Sequence, residues 1–341
     1  MKKVFFFLLI AVSLAAQKTE LVELKQNIKD RRGIAKSITI IDNRADKEIG
    51  NTLFHKDTYT FKFANDDLKS HIENWFLKDN KTRGNNDIVL LLEDLKVYCE
   101  DPEAKLPTTK IKIKLSSFIK RNNKYYFLNR FQNIITSDSS FPKHVAAQIS
   151  SAVTGTIRDS YTCLPLVGTI SEEELPNYEQ YLTKISPVFG NAELKDGVYK
   201  DFRSFYDQKP EPGYVIDKNK KGRVTNIKDT NATLNQEVID NELVFGYIEN
   251  GKAYRSTPAG YLEMIKDDKG FYVVANKSEL FAANGANGAS GAMIGAMAGG
   301  IVGALIGAAI DSGSSRRGSN VDTSNMPNIY LDSLTGSYMF D

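Results

Sequence analysis

The sequence predicts an α+β fold: an N-terminal two-layer α/β sandwich, then a small antiparallel β-meander, then a Gly-rich hydrophobic helix. Three observations lead there. Helix-period stretches at 66–78 and 142–161 flank β-branched and alternating runs at 37–42, 87–99, 110–120 and 125–136. Two hairpin patterns follow one another in 242–275. From Phe281 to Ile310 there is no charged residue, and glycine recurs at every fourth position.

The elements are justified in chain order. Met1-Lys2-Lys3, the uncharged run Val4 to Val12 and the small residues Ser13 to Ala16 have the layout of a cleavable secretory signal over 1–17. Its apolar run is shorter than a comfortable membrane span, which favours cleavage over anchoring. The expected product is an exported protein of the periplasm or cell envelope membrane, with a mature N-terminus between Ala16 and Lys18.

Residues 18–165 form the first predicted domain. Leu21, Leu24 and Ile28 are spaced for one helical face, so 18–36 reads as a short helix leading into the strand Ser37 to Asp42. Asn65 serves as N-cap, Asp66 and Asp67 fill the first turn, and Leu68, Ile72, Trp75 and Phe76 share one face. Ile88 to Leu92 is a buried strand running on to Cys99. Lys110 to Lys120 alternates lysine with aliphatics, and Asn122-Asn123-Lys124 turns it back into Tyr125 to Thr136. Pro142 then opens a helix carrying Val145, Ile149, Val153 and Ile157.

Residues 166–190 are a helical connector. Ser171 and Glu174 have capping-box spacing for a helix through about Lys184, and Pro187 stops it. The β-rich unit spans 191–280, with strands meeting at Asn250-Gly251 and at Asp267 to Gly270. A glycine-zipper helix occupies 284–310. A flexible segment and a terminal hairpin turning at Ser333 to Gly336 fill 311–341.

Composition narrows the function. Lys plus Arg is 44 and Asp plus Glu is 42. Removing Lys2 and Lys3 with the signal leaves 42 against 42, and a balanced chain argues against nucleic acid as a partner. The histidines His55, His71 and His144 have no metal-ligand spacing, and no phosphate-binding or nucleophile-elbow motif is present. No catalytic, metal-ligating or cofactor-binding residue is assigned, so a non-enzymatic role is expected. Glu93-Asp94 and Glu100-Asp101 are adjacent on a strand, where neighbours face opposite ways. Cys99 and Cys163 either pair in an oxidising compartment or stay as two separate buried thiols. Lys110, Lys112 and Lys114 leave one strand face. They form either a basic patch or a solvated sheet face, and the second is preferred.

Gly291, Gly295, Gly299, Gly303 and Gly307 place a smooth stripe along a helix, the pattern by which helices approach closely in lipid. The partners expected are a membrane or a second copy through this stripe, or another envelope protein. The alternatives are a soluble periplasmic module that binds a glycan or lipid on the aromatic-rich meander, and an enzyme of unrecognised class.

Three resemblances add to this reading. Ile38-Thr39-Ile40-Ile41-Asp42-Asn43-Arg44, with Ile49-Gly50, is similar to the start of YajG-type and transport-auxiliary envelope lipoproteins, although no cysteine for lipid attachment follows the signal. Asp196 to Tyr199, Phe245-Gly246-Tyr247 and Asn250 to Tyr254 resemble uncharacterised exported bacterial proteins. The glycine ladder resembles glycine-zipper segments of envelope proteins. The resemblances imply an envelope location and carry no catalytic residues.

Overall fold

A computed structural model describes residues 18–54, 57–81, 84–103, 108–137, 141–190, 193–230, 237–239, 243–258, 260–281 and 326–340. The expected signal at 1–17, the glycine ladder at 284–310 and residues 311–325 lie outside the described residues.

The first sheet is built around β5 (Asn86–Cys99), whose run Ile88 to Leu92 is buried on both faces. A strand apolar on both faces needs a layer on each side of it. On one edge it pairs antiparallel with β6 (Thr109–Arg121), which pairs with β7 (Lys124–Ser137). Asn122 and Asn123 both have positive φ, 49° and 57°, the backbone a two-residue hairpin turn requires. On its other edge β5 takes two strands in succession. β2 (Ala35–Asp42) runs parallel along Asn86 to Leu92, and β3 (Gly50–Phe54) meets Val97. β4 (Asp57–Phe63) and β1 (Lys18–Val22) complete the order β1-β4-β3-β5-β6-β7.

Helices α1 (Leu68–Asp79) and α2 (Pro142–Ser160) cover one face. Ile72, Trp75 and Phe76 from α1, with Val145, Ile149, Val153 and Ile157 from α2, meet Ile88, Leu90, Leu92, Ile111 and Ile113 in one core. The other face carries Val89, Leu91, Phe118 and Phe127. It is covered by the connector through Leu166, Ile170, Tyr178 and Leu182. The connector opens as expected: Ser171 and Glu174 exchange side-chain-to-backbone hydrogen bonds, a 3-10 turn follows, and α3 runs Tyr178–Ile185.

The second unit starts with β8 (Gly197–Tyr199) and the short α4 (Phe202–Tyr206). A three-stranded sheet of β9 (Tyr214–Lys218), β10 (Val224–Asp229) and β11 (Glu237–Ile239) follows. The meander is β12 (Gly246–Glu249), β13 (Lys252–Thr257), β14 (Gly260–Asp267) and β15 (Gly270–Val274). After the one-turn α5 (Lys277–Leu280) the chain leaves the described residues and returns as β16 (Asn328–Leu331) and β17 (Tyr338–Met339). These join the same sheet, in the order β8-β12-β13-β14-β15-β16-β17. The second unit therefore takes in the tail rather than closing at 280.

The α+β class holds, and four local expectations change. The stretch expected as a helix at 18–36 is β1 and a loop: Val22, Leu24 and Ile28 are buried while Leu21 is 47% exposed. Parallel pairing with β4 makes 18–22 a strand, whose alternation turns Leu21 out and Val22 in. The hairpin β3–β4 and the sheet β9–β11 were not expected. The N-cap of α1 is Asp67, which accepts from Ser70 N at 3.0 Å, while Asn65 accepts from Asp67 N one step earlier.

Candidate functional site

The strongest constellation lies where the outer face of the first sheet meets the connector and the second unit. A β-bulge between Leu92 and Asp94 starts it. A bulge inserts one residue and breaks the strict alternation of faces. The adjacent acids Glu93 and Asp94 therefore reach lysines of one face: Glu93 Oε1 lies 3.2 Å from Lys114 Nζ, and Asp94 Oδ2 lies 2.8 Å from Lys112 Nζ. The expectation that they point to opposite faces fails at this bulge, which has no sequence signal.

Around Glu93 the groups are tied together. Ser116 Oγ donates to Glu93 Oε2 at 2.7 Å, and the Tyr178 hydroxyl donates to the same oxygen at 3.0 Å. Lys114 also reaches Glu179 at 3.0 Å, and Arg130 on β7 reaches Glu179 at 2.7 Å. Arg130 Nε then donates to Asp332 Oδ2 at 2.7 Å, across 202 residues of chain. Asp332 Oδ1 accepts from Leu334 N and Thr335 N, so one carboxylate both shapes the terminal turn and meets the cation. Beside it, Asn133 Nδ2 donates to Tyr338 O at 3.1 Å while Asn133 Oδ1 accepts from Phe340 N at 3.1 Å.

Burial works against the charge of Arg130. Asp332, Tyr178 and Glu179 outweigh it and keep the guanidinium firmly protonated. Burial, opposed by Arg130, pushes the Tyr178 hydroxyl far above its ordinary range, so it remains a donor. Burial alone would raise Glu179, but Arg130 and Lys114 hold its carboxyl below the ordinary value of 4.5. A depressed carboxyl stabilises the fold above its unfolded-state value and loses that contribution as pH falls through its folded value. The expected result is that Glu179→Gln weakens the loss of stability below pH 4.5, read by urea unfolding across an acid series.

The seam borders a cleft of about 700 Å³ between α3 and the β14–β15 turn. Its lining mixes Glu93, Glu179, Asp267 and Asp268 with Lys114, Lys184, Lys266 and Lys269, four acids and four bases. Such a lining compensates its own charge and does not select an ionic ligand of one sign. Chemically the arrangement is an electrostatic staple between the two units. The meander's aromatics are spent elsewhere. Tyr199, Phe205, Phe245 and Phe271 fill the second core, and Tyr247 stacks on Tyr254 at 4.7 Å over the β9–β11 sheet.

The three lysines singled out from sequence are brought to one face, but not as a free basic patch. Lys110 pairs with Glu100 at 2.6 Å, Lys112 with Asp94, and Lys114 with Glu93 and Glu179. Antiparallel pairing with acid-bearing β5 neutralises them.

Cys99 and Cys163 are free thiols. The bridge is excluded by strand length. Leu166 N donates to Phe127 O, level with Phe118 and Val89, whereas Cys99 closes β5 ten residues beyond Val89. At about 3.3 Å per residue that is roughly 30 Å, and a disulfide needs Cα atoms within about 7 Å. Burial, with Asp159 adding, pushes the Cys163 thiol up to about 12. We expect slow alkylation of Cys163 in the native protein at mildly alkaline pH, and full labelling of both cysteines after denaturation without reductant, read by mass spectrometry.

Among the described residues no group of three His, Cys, Asp or Glu side chains gathers as a metal site. Among the same residues no helix is long and apolar enough to cross a membrane. The zipper glycines Gly291, Gly295, Gly299, Gly303 and Gly307 lie outside the described residues.

No family model matches the chain, and neither does any curated protein. One solved structure is similar in part: protein XCC0632 from Xanthomonas campestris, of the family DUF330, at 8% identity, covering 41% of this chain and 91% of that one, with a TM-score of 0.25.

Proposed function

We propose that this is an exported, non-enzymatic envelope protein whose two stapled units hold the Gly-rich apolar segment as an arm tied down at both ends. The observation that supports it is the pairing across the segment. Val273 lies opposite Ile329 and Val274 opposite Asn328, and Ala275 N reaches Pro327 O at 3.4 Å. The Phe281 ring meets Tyr338 and Phe340 at 5.9 and 6.0 Å between centroids. The segment thus leaves and re-enters one region of one sheet.

That placement bears on how the arm meets a membrane. A single crossing would put β16 and β17 on the far side from β15, breaking the sheet and the Arg130–Asp332 pair. An arm that folds back, lies in the interface or packs against the arm of a second copy keeps both intact. Eleven of the nineteen residues from Ala292 to Ile310 are Gly or Ala, so insertion by apolar content alone is weak and close packing along the stripe supplies the rest.

The test replaces 282–325 by a short Gly-Ser linker. The folded units should survive, because the ends are already adjacent, and the protein should move from membrane and oligomer fractions to soluble monomer. A second variant, Gly295→Leu with Gly299→Leu and Gly303→Leu, should stay with the membrane and lose its oligomer. If the linker variant fractionates and assembles as the wild type does, the arm has no such role and the proposal falls.

A further inference from the structure

A second cleft, of about 440 Å³, opens at the far end of the first domain from Cys99, between the loop after β1 and the last turn of α2. Its lining is Lys29, Arg31, Arg32 and Arg158 with one acid, Asp30, and Asn27, Tyr161 and Thr162 beside them. The local sequence Lys29-Asp30-Arg31-Arg32 contains an acid that would be expected to temper the cations. The fold sinks it beneath the loop, where it still lines the cleft. Asp30 is 7% exposed and turned inward, where its carboxylate accepts from Arg32 N at 2.9 Å, from Ala35 N at 2.8 Å and from Ile34 N.

The loop is fixed at several further points. Asp30 N donates to Asn80 Oδ1 at 2.7 Å, Ile28 N to Asp79 Oδ2 at 2.9 Å, and the Tyr161 hydroxyl to Ile28 O at 2.8 Å. Arg158 is held by Nε donating to Asn27 O at 2.8 Å, with its Nη2 on the same oxygen. Lys29, Arg31 and Arg32 are exposed, and among the described residues none of the four cations belongs to an ion pair. This differs from the lysines of β6, every one of which has its acid. Four cations around one buried carboxylate leave a surplus of positive charge on a rigid concave frame, a local field that attracts and orients an anion. Three are guanidinium groups: Arg31 and Arg32 offer planar forks that match the oxygens of a phosphate, while Arg158, held on Asn27 O through Nε and Nη2, adds its charge.

We propose that this cleft binds a phosphate group. Two sources share that chemistry, a soluble phosphate ester and the headgroup of an anionic phospholipid. Leu164, two residues beyond Thr162, is 69% exposed, an apolar side chain near in sequence to the cleft.

The test uses the full chain in three forms: wild type, Arg31→Gln with Arg32→Gln, and a control with Lys220→Gln and Lys221→Gln. The control removes the same charge from exposed residues elsewhere. Each is titrated calorimetrically with inorganic pyrophosphate and floated with vesicles of equal parts phosphatidylglycerol and phosphatidylcholine. Wild type and control should bind alike, with affinity falling as salt rises, and the arginine variant should bind about tenfold more weakly or worse. Pyrophosphate binding lost in the arginine variant assigns a soluble phosphate. Vesicle binding alone, lost in the same variant, assigns a headgroup. Both variants retain residues 282–325, so a difference between them cannot come from the apolar arm. Absence of binding to both probes, or an equal loss in arginine variant and control, overturns the proposal.

Discussion

Arg130→Met should cost about 3–5 kcal/mol of stability, because it leaves a buried carboxylate without its cation. Side-chain exposure is 1% for Arg130 and 2% for Asp332, so neither can recover its hydration by a small movement. Asp332 is also fixed by Leu334 N and Thr335 N, which prevents it from turning out to solvent. Glu179 loses a partner in the same step, although Lys114 remains. Adding Asp332→Asn to Arg130→Met should restore part of the loss, since Asn keeps an oxygen for the turn and carries no charge to strand. Urea unfolding of the two single variants and the double variant measures the coupling. A cost below about 1 kcal/mol for Arg130→Met would mean that the staple is relaxed or hydrated in solution.

Phe118→Ala should be comparably severe, at about 3–5 kcal/mol. Phe118 is fully buried, with ring centroids at 5.1 Å from Tyr178, 5.7 Å from Phe127 and 6.2 Å from Tyr125. It meets three rings between the first sheet and the connector, and Tyr178, the nearest of them, is held by hydrogen bonds to Glu93 and Ser116. Phe118→Leu keeps much of the volume and should cost distinctly less. The only tryptophan, Trp75, sits in the core on the other face of the sheet. Its emission therefore reports the helix-side layer. In Phe118→Ala the connector should loosen, read by faster amide exchange at 171–185, before the Trp75 signal changes.

The parts of the fold written in local periodicity were legible. The β5–β7 strands alternate or run apolar as a strand with one or two covered faces must, Asn122-Asn123 marks the turn, and α2 repeats its apolar residues at helical spacing. The segment at 18–36 misled because Leu24 and Ile28 satisfy a helix and an irregular buried edge alike, and only the neighbour β4 decides between them. The hairpin β3–β4 carried a signal in the alternation of Tyr59, Phe61 and Phe63 with the polar residues between them. The seam was not legible at all. Its acids meet on one face through a bulge, and its central pair joins residues 202 apart. The basic cleft was hidden in the opposite way: Asp30 cancels charge in the sequence and is removed from the surface by backbone hydrogen bonds.

The return of β16 to β15 sets an order of assembly. A chain made from its N-terminus presents the first sheet and both its helices before residues 326–340 exist. During that interval Arg130 has Glu179 beside it but no Asp332, and Asn133 has no strand to clamp. The part of the outer face around Arg130 and Asn133 therefore stays uncovered until the last few residues arrive, and those residues complete the second sheet and close the seam in one step. Loop closure over the intervening segment adds little to the cost, since it grows only with the logarithm of length. A chain interrupted anywhere in the apolar arm would keep the first sheet and its helices but lose two strands of the second sheet and the Arg130–Asp332 pair together.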